Sequence, residues 1–334
     1  MTASYLRSSR WALCKATIWA LAFVLSSCTS PASQMETLTL GVPPLEQAAL
    51  IYVADAQGFF AQQNLKISIT DYDTGVSAID ALLKGDVDIA EAAEFPFVRA
   101  VFQKEPITIM ASNDKFENDF IVARKDRGIA KIADLKGKRI GVARQTIAEF
   151  YLGRALNLQG INIQEVTLVD VKPAQFVNAM TSGQVDAIIA WQPYVHQILA
   201  QKNIDLISWN AHSRQAAYSI LIARREWIKQ HSDTVQRFLK SLAAAEDYLI
   251  HNPNQAKAIV RQRLNYDETY MVSVWSQHQI VLALEQSLVI AMKDEGRWMI
   301  QNQLTTVKEL PNFLDYVNED LLQVVKPQAS SLIR

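Results

Sequence analysis

The sequence predicts an α/β protein of two similar lobes. Three observations carry that prediction: an internal repeat, a β-α-β-α-β order of patterned segments in each copy, and a composition ordinary for a globular chain. "ALLKGDVDIAEAAEFPFV" from Ala81 is echoed by "AMTSGQVDAIIAWQPYV" from Ala179, so that Gly85, Val87 and Asp88 are answered by Gly183, Val185 and Asp186 at an offset of 98. "LTLGV" ending at Val42 returns as "KRIGV" ending at Val142, and "FIVARKD" from Phe120 returns as "ILIARRE" from Ile220, both at an offset of 100. Three matches in one order at nearly one spacing indicate two copies of a supersecondary unit.

The chain has 334 residues, 49% of them hydrophobic and 20% charged, enough to bury the cores of two medium domains. Lys plus Arg number 33 against 34 for Asp plus Glu, which excludes the basic surface that nucleic acid requires.

Taken in order, residues 1–27 read as a signal peptide. Arg7, Arg10 and Lys15 form its basic region, "ATIWALAFVL" is its apolar stretch, too short for an ordinary membrane span, and "LSSC" closes it at Cys28. That ending resembles the bacterial lipobox, which implies cleavage before Cys28 and lipidation of its thiol; an ordinary secretory signal would also export the chain. Subtracting three basic and no acidic residues leaves 30 against 34, a formal −4. Cys14 leaves with the signal, so Cys28 is the one remaining thiol and no intrachain disulfide can form.

Residues 28–36 read as a tether. "LTLGV" is then a strand, "EQAALIYVADAQGFF" a helix stopping near Gly58, "LKISITDYD" an alternating strand, "GVSAIDALLKG" a helix closed by Gly85, and "VDIAEAAE" a buried strand. The second copy repeats the order: "RIGVA", a helix from about Thr146 to Leu158, "QEVTLVD", a helix around "PAQFVNAMTSG", and "VDAIIAW". Each sheet is therefore expected to be largely parallel with helices on both faces. From Glu226 the pattern is helical, with an N-cap at Ser232 or Asp233 and a break at Pro253.

Here the residues carry a family resemblance. "GDVDIAEAAEFPFVRA", "IADLKGKRIGVARQT" and "GQVDAIIAWQPYV" resemble the solute-binding proteins of ATP-driven importers, of the nitrate/sulfonate/taurine and thiamine-precursor type, from about Leu38 to Leu321. The resemblance implies a two-lobed periplasmic-binding-protein type II fold. Lobe one would comprise residues 37–120 and 219–334, lobe two residues 121–218, with "FIVARKD" and "ILIARRE" as crossing hinge strands. It also implies a small-molecule solute, an ABC permease and its ATPase as partners, a monomer without cofactor, and a periplasmic or cell-surface location anchored through Cys28.

Open α/β sheets bind ligands at the C-terminal edges of their strands, where helix N-termini offer N–H groups to anions. In this chain those loops are "VPPLEQA", "DYDTGVS", "AEFPF", "VARQT", "VKPAQ" and "AWQPY". Thr74, Gly75 and Val76 open the helix of the first lobe and suit a sulfonate, carboxylate or phosphate; alternatively Thr74 only caps its helix. Thr146 matches the Ser or Thr that similar proteins place at the equivalent helix start, while Gln145 stands where the family often has Gly. Arg144 is either an anion contact or a solvated rim charge. Glu94, just before Pro96 at the end of the third strand, would bind an amine or bridge the lobes, and with the helix N-termini it would read a zwitterion. Trp191 would stack on a planar or cationic ligand or belong to the core. Gln192 follows it, and Asn118 and Tyr218 flank the crossings as polar contacts.

Catalysis finds little support. His196, His212, His231, His251 and His278 are scattered and read as surface residues rather than metal ligands, and GxSxG, P-loop and GxGxxG motifs are absent. Two alternatives stand beside the receptor: an enzyme of the same fold related to thiamine-precursor synthesis, and a ligand-presenting accessory protein of a membrane receptor.

Overall fold

The computed structural model describes residues 35–333; the expected signal peptide and the first seven residues of the expected tether, Cys28 among them, lie outside the described residues. In chain order the first copy runs β1 (Glu36–Val42), α1 (Ala49–Ala56), α2 (Phe59–Gln62), β2 (Leu65–Asp71), α3 (Gly75–Lys84), β3 (Ile89–Ala93), α4 (Glu94–Phe102) and β4 (Ile107–Phe116). The second runs β5 (Asp119–Arg124), β6 (Arg139–Val142), α5 (Ile147–Asn157), β7 (Thr167–Asp170), α6 (Phe176–Thr181), β8 (Ala187–Trp191), α7 (Tyr194–Leu199) and β9 (Leu206–Asn210). Then follow β10 (Ala217–Arg224), α8 (Arg225–Gln230), α9 (Ser232–His251), α10 (Pro253–Leu264), α11 (Glu268–Trp275), β11 (His278–Gln279), α12 (Gln286–Gln301) and α13 (Asp320–Val325).

The strands form two mixed sheets, ordered β11-β4-β10-β3-β1-β2 and β7-β6-β8-β5-β9. β1 pairs in parallel with β2 and β3, as β6 does with β7 and β8. The expectation of largely parallel sheets misses β10 and the short β11 in the first and β5 in the second. β10 lies antiparallel between β3 and β4, and β5 lies antiparallel between β8 and β9. The first sheet thus receives β10 and β11 from the chain after the second crossing, whereas the second sheet is built wholly from the chain between the crossings. The crossings themselves are Glu117–Asn118, between β4 and β5, and the connection from Ala211 to Ala216; "FIVARKD" and "ILIARRE" begin just after them.

Why the chain repeats its words is now legible in hydrogen bonds. Asp88 accepts from the Thr39 N–H (2.9 Å) and hydroxyl (2.6 Å), and Asp186 accepts from the Arg139 N–H (3.0 Å). In both lobes the aspartate before the third strand thereby ties it to the first. Gly85 and Gly183 end the preceding helices with φ of 85° and 76°, the left-handed region where a side chain is strained. The arginines of the echoed strands close the same helix ends: Arg124 donates to the Met180 carbonyl at 2.8 Å, and Arg224 donates to the carbonyls of Leu82 and Val87. The repeat is a packing solution used twice.

The C-terminal helices cover the first sheet's flank, with α9 against α1 and α13, and α12 against α4. α9 begins at Ser232, but neither Ser232 nor Asp233 caps it; Asp233 instead accepts from Arg237 at 2.7 Å. Pro253 opens α10, where its missing N–H costs nothing. The sheets' lobes touch where α4 meets α5: Phe95, Phe150 and Trp298 form an aromatic cluster with ring centroids 5.7–5.9 Å apart.

Candidate functional site

Between the lobes lies a cavity of about 50 Å³, lined from both sheets' C-terminal edges. Lobe one contributes Gln47, Asp73, Thr74, Gly75, Glu91 and Phe116; lobe two contributes Asp119, Thr146, Ile147 and Trp191, and Asn118 sits at the crossing. A second space of about 370 Å³ shares Leu45, Asp73 and Trp191 with it and adds Asp71, Tyr72, Tyr194 and Tyr266.

Two helix N-termini meet this cavity. At α3 the Thr74 hydroxyl accepts from the Ser77 N–H (3.3 Å) while the Ser77 hydroxyl accepts from the Thr74 N–H (3.2 Å). Thr74 is thus both cap and cavity wall. Gly75 is required by close approach, since a Cβ there would stand 2.6 Å from the Ala92 Cβ. At α5 the Thr146 hydroxyl donates to the Ala143 carbonyl at 2.7 Å instead of capping, so the helix start keeps N–H groups without an intrahelical acceptor. Gln145 holds φ of 68°, a glycine-like conformation that a side chain adopts at a cost of about 1–2 kcal/mol. Its N–H donates to Glu149 (2.6 Å) and its side-chain oxygen accepts from Arg99 (2.6 Å), which hold the strained turn.

Five of the residues expected from sequence therefore come together: Thr74, Gly75, Asn118, Thr146 and Trp191. Five others lie apart. Val76 turns toward a groove between α3 and α4. Arg144 is paired with Glu149 at 3.2 Å and lines a separate crevice beside Arg99. Gln192 accepts from the His196 N–H at 3.2 Å. Tyr218 donates its hydroxyl to Ser287 at 2.7 Å. Glu94 is the main correction: β3 ends at Ala93, so Glu94 starts α4 and its fully buried side chain accepts from the Tyr218 N–H at 2.9 Å. Burial pushes its carboxyl up to about 8, and the neighbouring Glu295 carboxyl, also fully buried, is pushed up for the same reason.

Glu91, which the sequence reading passed over, takes the place at the cavity wall. It lies mid-strand in β3, 2% exposed, with one oxygen accepting from the Ser219 hydroxyl and the other without a hydrogen-bond partner. Burial pushes it up to about 8; the Ser219 bond opposes the rise and the Asp114 charge adds to it. The signal was present: within the "IAEAA" of "VDIAEAAE" it is the one charged residue among apolar neighbours. Asn118 is fully buried with neither amide atom partnered, and Asp119 keeps one free oxygen while the other lies 3.0 Å from His212 Nε2. His212 and His278 are accordingly not surface residues; both are buried against aspartates, His278 lying 2.6 Å from Asp114. Trp191 packs edge-on against Phe176 and Tyr194 at 5.5 and 5.9 Å, so it is wall and core together.

This arrangement can hold a small polar solute from both sides, with N–H groups at two helix ends and acceptors at the crossing. A taurine-binding periplasmic protein of Escherichia coli is 27% identical over 242 residues, covering 70% of this chain and 72% of that protein. The alkanesulfonate-binding protein SsuA of Xanthomonas axonopodis pv. citri, solved with MOPS bound, superposes with a TM-score of 0.75 at 18% identity, covering 86% of this chain and all of that one. The desulfurization enzyme DSZB shares the fold with a TM-score of 0.66 at 15% identity, covering 88% of this chain and 99% of that one. A family model described as NMT1/THI5 like matches residues 46–256, and the chain belongs to that family.

Proposed function

We propose that this protein is an extracytoplasmic solute receptor: it captures a small organic anion or zwitterion between its lobes and delivers it to an ABC importer. The observation that carries this reading is the interlobe cavity itself, to which both sheets bring strand ends and helix N-termini. The names of the relatives, for taurine and for alkanesulfonates, point to the same solute class. DSZB makes chemistry on this fold a second reading, but the cavity wall offers acids, amides and threonines rather than a thiol, and Cys14 and Cys28 are the chain's only cysteines.

In this reading the expected lobe bounds shift to the crossings: residues 36–116 with 217–333, and residues 119–210, move as two bodies about them, and the solute shifts them toward the closed form by its differential affinity. Lipidation of Cys28 would hold the receptor at the membrane beside its permease; a mature N-terminal peptide without acyl chains removes that part of the reading. Small-angle scattering tests the whole: a saturating solute should lower the radius of gyration. Identical profiles with and without every bound solute would argue for a static cleft.

A further inference from the structure

The cavity wall is unusual in its charge. Its ionisable residues are all acids, Asp73, Glu91 and Asp119. The adjoining space has one cation, Arg263, which is occupied by Asp71 at 2.6 Å and lies over the Tyr52 ring at 5.0 Å. An anion alone would meet helix N-termini here but also three carboxyl groups with no Lys or Arg on the same wall.

The polar atoms at the wall ask for a donor. Glu91 has a buried oxygen without a partner, Asn118 has both amide atoms unpartnered, and Asp119 has one free oxygen, each on a side chain at most 2% exposed. A buried polar atom left without a partner is costly, so three side chains in that state at one cavity mark a place where a ligand completes the hydrogen bonding. Two of the three supply only acceptors when ionised, and the third supplies an acceptor and a donor.

We propose that Glu91, together with Asn118 and Asp119, is the specificity-determining subsite of the cleft, and that it receives the ammonium or amino group of the solute. The anionic end lies at the N-termini of α3 and α5, beside Thr74 and Thr146. The solute is then a small amino-bearing acid rather than a simple sulfonate or an inorganic anion. This rests on the receptor reading and narrows it. Tyr72, Trp191, Tyr194 and Tyr266, in the adjoining space, add ring faces of the kind that attract a positive group on its way in.

Two matched pairs of probes decide it, taurine with ethanesulfonate and β-alanine with propionate, which differ only in the amino group. Each is titrated calorimetrically into the wild type and into Glu91→Gln and Asn118→Ala. In at least one pair the wild type should bind the amino-bearing member about ten- to a hundredfold more tightly, the factor expected of a hydrogen bond to a charged group. Glu91→Gln should shrink that preference to within about threefold, and Asn118→Ala should lower it by a smaller factor. Equal or tighter wild-type binding of the amine-free member overturns the proposal, even if both variants fail to fold. So does an equal loss of both members in Glu91→Gln. If neither pair binds but an amine-free solute does, the subsite is wrong and the receptor stands; if no solute binds or compacts the chain, both fall.

Discussion

Glu91 and Glu94 stand three residues apart on the same strand-to-helix segment, yet one faces the cavity and the other faces the interior between α4, β10 and α12. Both are buried and both carry carboxyls raised to about 8, because burial disfavours the charged form. A carboxyl raised in the fold binds its proton more tightly there than in the unfolded chain, whose value is near 4.5. The stability it contributes is fully present below that value and is lost as pH rises toward 8. Tyr218, Glu295, Tyr151 and Asp119 surround Glu94; burial outweighs the Tyr218 N–H and the hydrogen bond with Glu295, which favour its charge, and the Asp119 charge adds to the rise. Urea unfolding between about pH 5 and 8 should therefore show falling wild-type stability, by about 1.4 kcal/mol per pH unit for each such group in its window. Glu94→Gln should flatten the slope, and an unchanged slope would mean that Glu94 is ionised in the fold. The sequence made Glu94 conspicuous, because it precedes Pro96 at a strand end, and left Glu91 obscure. One residue of register at the end of β3 decided which acid meets the cleft, and local pattern does not fix such a boundary.

Among elements, the strands and helices of each repeat were legible because apolar period and glycine stops agree there, as in α3, which runs from Gly75 to a left-handed Gly85. What pattern could not reveal was the antiparallel insertion of β5 and β10 into the middle of their sheets, since a strand's partner is a long-range fact that alternation does not encode. The start of α3 offers the sharpest test at this scale. A methyl group at residue 75 would stand 2.6 Å from the Ala92 Cβ and 2.9 Å from its Cα, so the helix end must move away from β3. Gly75→Ala should cost about 1–3 kcal/mol in urea unfolding, the range for overpacking, and should also weaken solute binding by displacing the N–H groups at the cavity. A stable variant with wild-type affinity would show that the α3 terminus is not part of the site.

At the scale of the whole molecule, the first lobe takes β10 and β11 from the chain beyond the second crossing, and the cavity reaches the first crossing. Asn118 lies in that crossing and lines the cavity, so in the receptor reading solute and hinge share a residue. The lobes also meet through Phe95, Phe150 and Trp298, and Gly153 is small where the indole passes, with a Cβ position 2.3 Å from the ring. Capture of a solute by this architecture is the central claim, and a thermal-shift screen tests it most directly. The panel would hold taurine and other amino-bearing acids, alkanesulfonates, nitrate, bicarbonate and aminopyrimidines. A true solute at about 100 times its dissociation constant adds roughly 2.7 kcal/mol of stability, so the unfolding midpoint should rise by roughly 5 °C or more, and most for an amino-bearing acid. A midpoint that no member of the panel moves would contradict the account.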